Sequence, residues 1–254
     1  MAPRFAGEVG MLPALDAAVM LHIDRGLVQL EDPELRSPGL SKPMLRAYEH
    51  VHTPEDIGMG NEMTALRERI EEWYSDTPVF LLGHSMGGLI SAHALLVSQK
   101  SYHGAMFSGP AFTAVDPVSA PVIWIGRLLR YVFPKMGMLA LNAKEVSRDP
   151  AVVADYIADP LVYNGKITTS LGLEILDAME VAISRAGEIT LPVYIAHGEA
   201  DVMAGPEGST AFFESLASAD KSLDFWPGLY HEIFHEPESE EVMARYVTWL
   251  EARL

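Results

Sequence analysis

Residues Pro78 to Ser98 set a Gly-His-Ser-Met-Gly pentapeptide between two different apolar patterns. Before it, Pro78-Val-Phe-Leu-Leu82 is an unbroken apolar run ending at Gly83, which predicts a buried strand of the parallel type. After it, Leu89, Ile90, Ala94 and Leu95 recur at helical spacing, which predicts a helix from Met86 to about Ser98. The glycines at 83 and 87 flank Ser85 two residues either side, where bulk would collide with the neighbouring strand and helix. A tight, strained turn there lifts the Ser85 hydroxyl clear of the sheet. Alone, G-x-S-x-G carries little information; inside strand–turn–helix it marks Ser85 as a nucleophile. The same turn puts the Met86 backbone N–H at a helix start, where it can stabilise an oxyanion.

A serine hydroxyl needs a general base, and the base needs a carboxylate to orient it. On such a scaffold the chain order is Ser, then Asp or Glu, then His. Asp201 follows a strand-like run and the loop His197-Gly-Glu-Ala, and is the candidate acid. Glu199, its nearest competitor, sits closer to the strand end. His231, after a strand and a Gly-Leu-Tyr turn, is the candidate base. His231-Glu-Ile-Phe-His235 also spells H-E-x-x-H, which on a helix would hold zinc. Gly228 precedes it and Pro237 follows, so a loop or broken turn is expected, without an evident third ligand. Neither metal nor cofactor is called for. His235 reads as incidental, His84 as packed beside the nucleophile, and His197 as bonded within its loop.

Elsewhere the rhythm alternates between strand and helix. Met63 to Tyr74 places Leu66, Ile70 and Trp73 on one helical face; Tyr102 to Ser108 reads as a strand. The alternation lapses from about Pro110 to Glu188, a Pro-rich stretch with helix-like apolar clusters. It returns with strands at Leu191–Ala196 and Ser222–Trp226 and helices around 208–218 and 239–253. This predicts an α/β-hydrolase fold: one domain over residues 1–254, a mostly parallel sheet covered on both faces, and an inserted, mainly helical cap at about 112–188.

Composition removes several alternatives. Thirty-five acidic against 18 basic residues give a formal charge of −17, which disfavours nucleic acid and anionic membranes and suits a neutral substrate. The acidic surplus reads foremost as a solvated surface. With no cysteine, disulfides, thiolate metal sites and cysteine nucleophiles are excluded. The start lacks the apolar core of a signal peptide, and Val122–Phe133, interrupted by Arg127 and Arg130, is too short to span a bilayer. A soluble cytoplasmic protein is expected.

Four stretches together resemble the monoacylglycerol lipase family of lysophospholipase-like serine hydrolases: PVFLLGHSMGGLIS around Ser85, SRDPAVVADYIADPLVYNGKITTSLG from Ser147, LPVYIAHGEADVMAGPEGS around Asp201, and GLYHEIFHEP around His231. The resemblance runs from about Pro78 to the C-terminus. It implies Asp201 as acid and His231 as base, in agreement with the residue reading. It also implies hydrolysis of monoacylglycerols, with an apolar cap that forms the acyl tunnel and makes transient contact with membranes or micelles. Ile123, Trp124, Ile125, Leu128, Leu129, Val132 and Phe133 suit such a surface, although the same residues also suit inward packing.

The N-terminal third departs from the family. A family member carries an early strand ending in a His-Gly loop that donates a second N–H to the oxyanion, and no His-Gly precedes Ser85. Asp24-Arg-Gly26 echoes only part of a later Asp-x-Arg-Gly-His-Gly element, and Val28–Met59 reads as loop. The expectation is a truncated or divergent start, with N-terminal strands missing or divergent. Loss of one oxyanion donor costs roughly 10²–10³ in rate, about 3–4 kcal/mol. Three readings follow: a monoacylglycerol-type ester hydrolase, a lipid-binding homologue with an incomplete oxyanion hole, and a general carboxylesterase or acyltransferase.

Overall fold

A computed structural model describes residues 19–24, 27–30, 77–115, 118–159, 162–163 and 165–254, the first two segments as backbone only. The helix expected at Met63–Tyr74 and most of the stretch read as loop lie outside the described residues.

Strands β1 (Val19–Asp24), β2 (Leu27–Leu30), β3 (Val79–His84) and β4 (Gly104–Ser108) precede the break in rhythm, with helix α1 (Met86–Ser98) between β3 and β4. After it come β7 (Val193–Gly198) and β8 (Lys221–Trp226), with α5 (Pro206–Ser215) between them and α6 (Ser239–Glu251) closing the chain. These strands form one six-stranded sheet in the order β2-β1-β3-β4-β7-β8. All neighbours are parallel except the antiparallel edge pair β1–β2.

Of the N-terminal strands expected to be missing or divergent, two are in the sheet. β1 runs parallel beside β3 with Ile23 level with Gly83, so the strand that leads into Ser85 has neighbours on both sides. Leu27–Leu30 pairs with β1, so the start of the stretch read as loop is strand.

The two-sided burial has a simple origin. Successive strand residues point to opposite faces. Val79, Leu81, Ala105, Phe107, Val193 and Ile195 enter one core, which α1 covers with Leu89, Ile90 and Leu95 and α5 with Phe212. Phe80, Leu82, Met106, Tyr194 and Ala196 enter the other, covered by Val242, Tyr246, Trp249 and Leu250 of α6. Because both faces are apolar, β3 reads as a continuous run rather than an alternation.

Between β4 and β7 the chain makes a long excursion through α2 (Ala120–Leu129), β5 (Gly137–Ala140), α3 (Pro150–Ala158), β6 (Lys166–Thr168) and α4 (Thr169–Arg185). The stretch was expected to be mainly helical; it also holds a two-stranded antiparallel sheet of β5 and β6, with α3 between them in the chain. α4 joins the main core through Ala178 and Ala182, and His93 of α1 bonds the Ala178 carbonyl at 2.9 Å. α2 instead buries only Gly126, over Leu173. Trp124 is 67% exposed, Leu128 59% and Phe133 56%. The face left open for inward packing is therefore turned to solvent. Among the described residues no helix is long and apolar enough to cross a membrane.

Candidate active site

Ser85, Gly109, Asp201 and His231 all follow the carboxyl ends of parallel strands, where an open α/β sheet leaves its crevice. Ser85 has φ 53° and ψ −124°, and among the described residues it is the one non-glycine with positive φ. Such a conformation costs on the order of 1–3 kcal/mol and persists only where its surroundings fix it. Here Ser85 N–H donates to the Ser108 carbonyl at 3.0 Å, and the Ser85 carbonyl accepts from Gly88 and Ala111, both at 3.0 Å. A Cβ on Gly83 would stand 2.6 Å from the Gly87 carbonyl oxygen, so the turn closes only with glycine there.

The three sequence-predicted residues meet although 146 positions separate Ser85 from His231. His231 Nε2 lies 2.8 Å from Ser85 Oγ, and His231 Nδ1 lies 2.7 Å from Asp201 Oδ2. Because the carboxylate only accepts, Nδ1 carries the proton, and Nε2 is left to accept from the serine hydroxyl. Asp201 Oδ1 accepts from the backbone N–H groups of Met203 at 2.7 Å and Ala204 at 3.1 Å. Burial raises the pKa of this carboxyl, but His231 first and His197 second more than reverse it, holding it well below the usual carboxylate range. Glu199, the competing acid, is exposed, and its N–H bonds the Trp226 carbonyl at 2.9 Å.

Met86 is the first residue of α1, so its N–H has no acceptor within the helix. The first turn of α1 carries no acidic side chain. The positive end of the helix therefore faces the Ser85 turn uncompensated.

The H-E-x-x-H segment is not a helix that could present two histidines together. It folds as a single 3₁₀ turn, Ile233–His235, and both ring nitrogens of His231 are taken by Asp201 and Ser85. His235, read as incidental, has Nδ1 3.1 Å from Glu232 Oε2. Glu232 is buried, and burial raises its pKa, but His84 and then His235 outweigh this and leave it well below the usual range. His84 packs its ring 4.9 Å from the His231 ring, with Nε2 3.6 Å from Glu232 Oε2 and Nδ1 3.1 Å from Ser108 Oγ.

Sequence reasoning missed two supports. Gly109 adopts φ +47°, and a Cβ there would stand 3.0 Å from the His231 carbonyl oxygen and 3.4 Å from its Nδ1. Its signal was the Gly-Pro pair after a strand, a turn mark of no stated purpose. Glu236 is buried and binds the loop of His231 to the preceding excursion: Oε1 accepts from Tyr230 N–H at 3.0 Å and Arg148 N–H at 3.1 Å, and Oε2 from Arg148 Nε at 2.9 Å.

Residues 46–238 match the profile of the hydrolase family described as "Serine aminopeptidase, S33". The chain belongs to this family of serine α/β-hydrolases. The match begins well before Pro78, so the family likeness reaches further toward the N-terminus than the sequence motifs do. A monoacylglycerol lipase of Mycolicibacterium smegmatis is 35% identical over 178 residues, covering 70% of this chain and 63% of the relative. The chain thus spans under two thirds of that relative's length. A monoglyceride lipase of Rattus norvegicus is 28% identical over 255 positions, covering 99% of this chain and 78% of the relative. The crystal structure of a Paleococcus ferrophilus monoacylglycerol lipase superposes with TM-score 0.72 at 28% identity, covering 93% of this chain and 94% of that one.

Proposed function

We propose that the protein is a serine ester hydrolase acting on monoacylglycerol-like acyl esters, with Ser85 as nucleophile, His231 as base and Asp201 as orienting acid. The observation that carries this reading is the unbroken line Ser85 Oγ to His231 Nε2 at 2.8 Å and His231 Nδ1 to Asp201 Oδ2 at 2.7 Å. Ser85 attacks the ester carbonyl as His231 takes its proton, and the Met86 N–H meets the charge that develops on the carbonyl oxygen. His231 then protonates the leaving alcohol, and an acyl group remains on Ser85. Water, deprotonated by the same imidazole, attacks the acyl carbonyl and releases the acid.

Two features favour a neutral lipid ester over a peptide or a charged substrate. The chain carries a formal charge of −17, and the excursion exposes Trp124, Leu128 and Phe133 as an apolar surface. In this reading residues 112–188 act as a cap that meets micelles or bilayers of neutral lipid. Relatives named as monoacylglycerol lipases support the same substrate class.

A fluorophosphonate probe should label the wild-type protein on Ser85 and leave folded Ser85→Ala unlabelled, with ester turnover reduced by roughly 10⁴–10⁶. A panel of monoacylglycerols, short p-nitrophenyl esters and aminoacyl arylamides should rank in that order by kcat/KM. Labelling with arylamides ranked first would move the substrate to peptides. Folded wild-type protein that is not labelled would remove the catalytic reading.

A further inference from the structure

The mechanism above uses one imidazole on Asp201, but the structure places two there. His197, at 0% exposure, lies with Nε2 3.0 Å from Asp201 Oδ2, the same oxygen that His231 Nδ1 approaches at 2.7 Å. Nε2 of His197 also lies 3.1 Å from the Ala204 carbonyl oxygen. Both of those partners only accept, so Nε2 carries a proton and shares it between them. On the far side of the ring, Nδ1 lies 2.7 Å from Ser209 Oγ, and in the neutral ring it accepts from that hydroxyl. Ser209 belongs to the second turn of α5 and is fully buried.

The geometry points to His197 as a positioning residue that tunes the base, a role that rests on the triad reading. Every lone-pair direction of the Asp201 carboxylate is occupied: Met203 and Ala204 N–H on Oδ1, His231 and His197 on Oδ2. A carboxylate oxygen that already accepts one hydrogen bond offers less charge to the next donor. The proton donated by His197 therefore weakens the pull of Asp201 on the proton at His231 Nδ1. The imidazolium that forms when His231 takes the serine proton then gains less from Asp201 than it would without this second donor. Ser209 fixes the His197 tautomer that makes this donation. The other groups near the pair that titrate are His84, with its ring 4.9 Å from that of His231, and Glu232 behind it.

The test is the pH profile of fluorophosphonate inactivation between pH 5 and 9, for wild type, His197→Leu and His197→Gln in the full chain. In His197→Leu the acid limb should move up by about half to one pH unit, a rate loss of roughly 3- to 10-fold at acid pH that fades toward the alkaline plateau. His197→Gln can place an amide N–H where Nε2 stands, and should return the limb toward the wild-type position. A His197→Leu protein whose rate falls equally at every pH, or not at all, would overturn the assignment. A second readout needs no variant: ¹⁵N-histidine spectra of the wild type at pH 9 should show His197 Nε2 protonated and Nδ1 bare. The opposite tautomer would overturn it too. Neither result touches the triad itself, which fails separately if Ser85→Ala is still labelled.

Discussion

Gly109 shows how closely the backbone is drawn in around His231. At φ +47° an L side chain pays about 1–2 kcal/mol, and a Cβ 3.0 Å from the His231 carbonyl oxygen must displace something. Gly109→Ala should therefore destabilise the fold by about 1–3 kcal/mol in urea titration. It should also lower kcat more than it raises KM, because the atoms displaced hold the base rather than the substrate. An alanine variant with wild-type kcat would mean that the loop of His231 gives way freely. That Ser85, Asp201 and His231 lie side by side was legible in the sequence because each proposed role needs a fixed place after a strand. Gly109 was not, since its contact is with a residue remote in the chain, and His197 was read only as bonded within its loop. His197 lies near the end of β7 and Asp201 in the turn after it, where a spacing of four carries no fixed geometry, and only the packing of α5 against β7 brings Ser209 to the imidazole.

At the scale of elements, the sheet was legible wherever burial wrote a pattern. β3, β4, β7 and β8 and helices α1 and α6 fall where their apolar runs and periods put them, with shifts at the ends. α5 begins two residues earlier than expected because Pro206 occupies its first position, where a missing N–H costs nothing. The small sheet of β5 and β6 left no such pattern: all four residues of β5 are exposed, so no alternation marks it. The exposed face of α2 makes an element-level prediction about the proposed cap. α2 is tied to α4 by Arg127–Asp177 at 2.7 Å and Arg130–Glu174 at 3.0 Å, and neither bond involves the apolar side chains outside. Trp124→Ser with Leu128→Ser should change stability by less than about 1 kcal/mol. It should reduce turnover of long-chain monoacylglycerol emulsions several-fold while sparing soluble short-chain esters. Equal loss on both substrates would place these residues in a structural role instead.

For the whole molecule, two effects of acid oppose each other. At a formal charge of −17 the native surface repels itself, and protonating its carboxylates relieves that strain. Asp201 and Glu232 act in the other direction, because each is held as a carboxylate well below the usual range by neighbouring histidines. For a group whose folded pKa is depressed, the unfolded chain binds its proton first as pH falls. The stability it contributes is complete above its unfolded value, about 4, and is lost as pH drops from there through the folded one. The surface carboxylates titrate over the same interval, so the wild-type curve alone cannot separate the two. Glu232→Gln can: its side chain keeps the volume and loses the titration. Urea midpoints measured at pH 7, 5, 4 and 3 should fall less steeply for Glu232→Gln than for wild type below pH 4.5, even if the variant begins lower at pH 7. Parallel curves would mean that Glu232 enters the fold already protonated, and that the turn beneath His231 is held by packing rather than by charge.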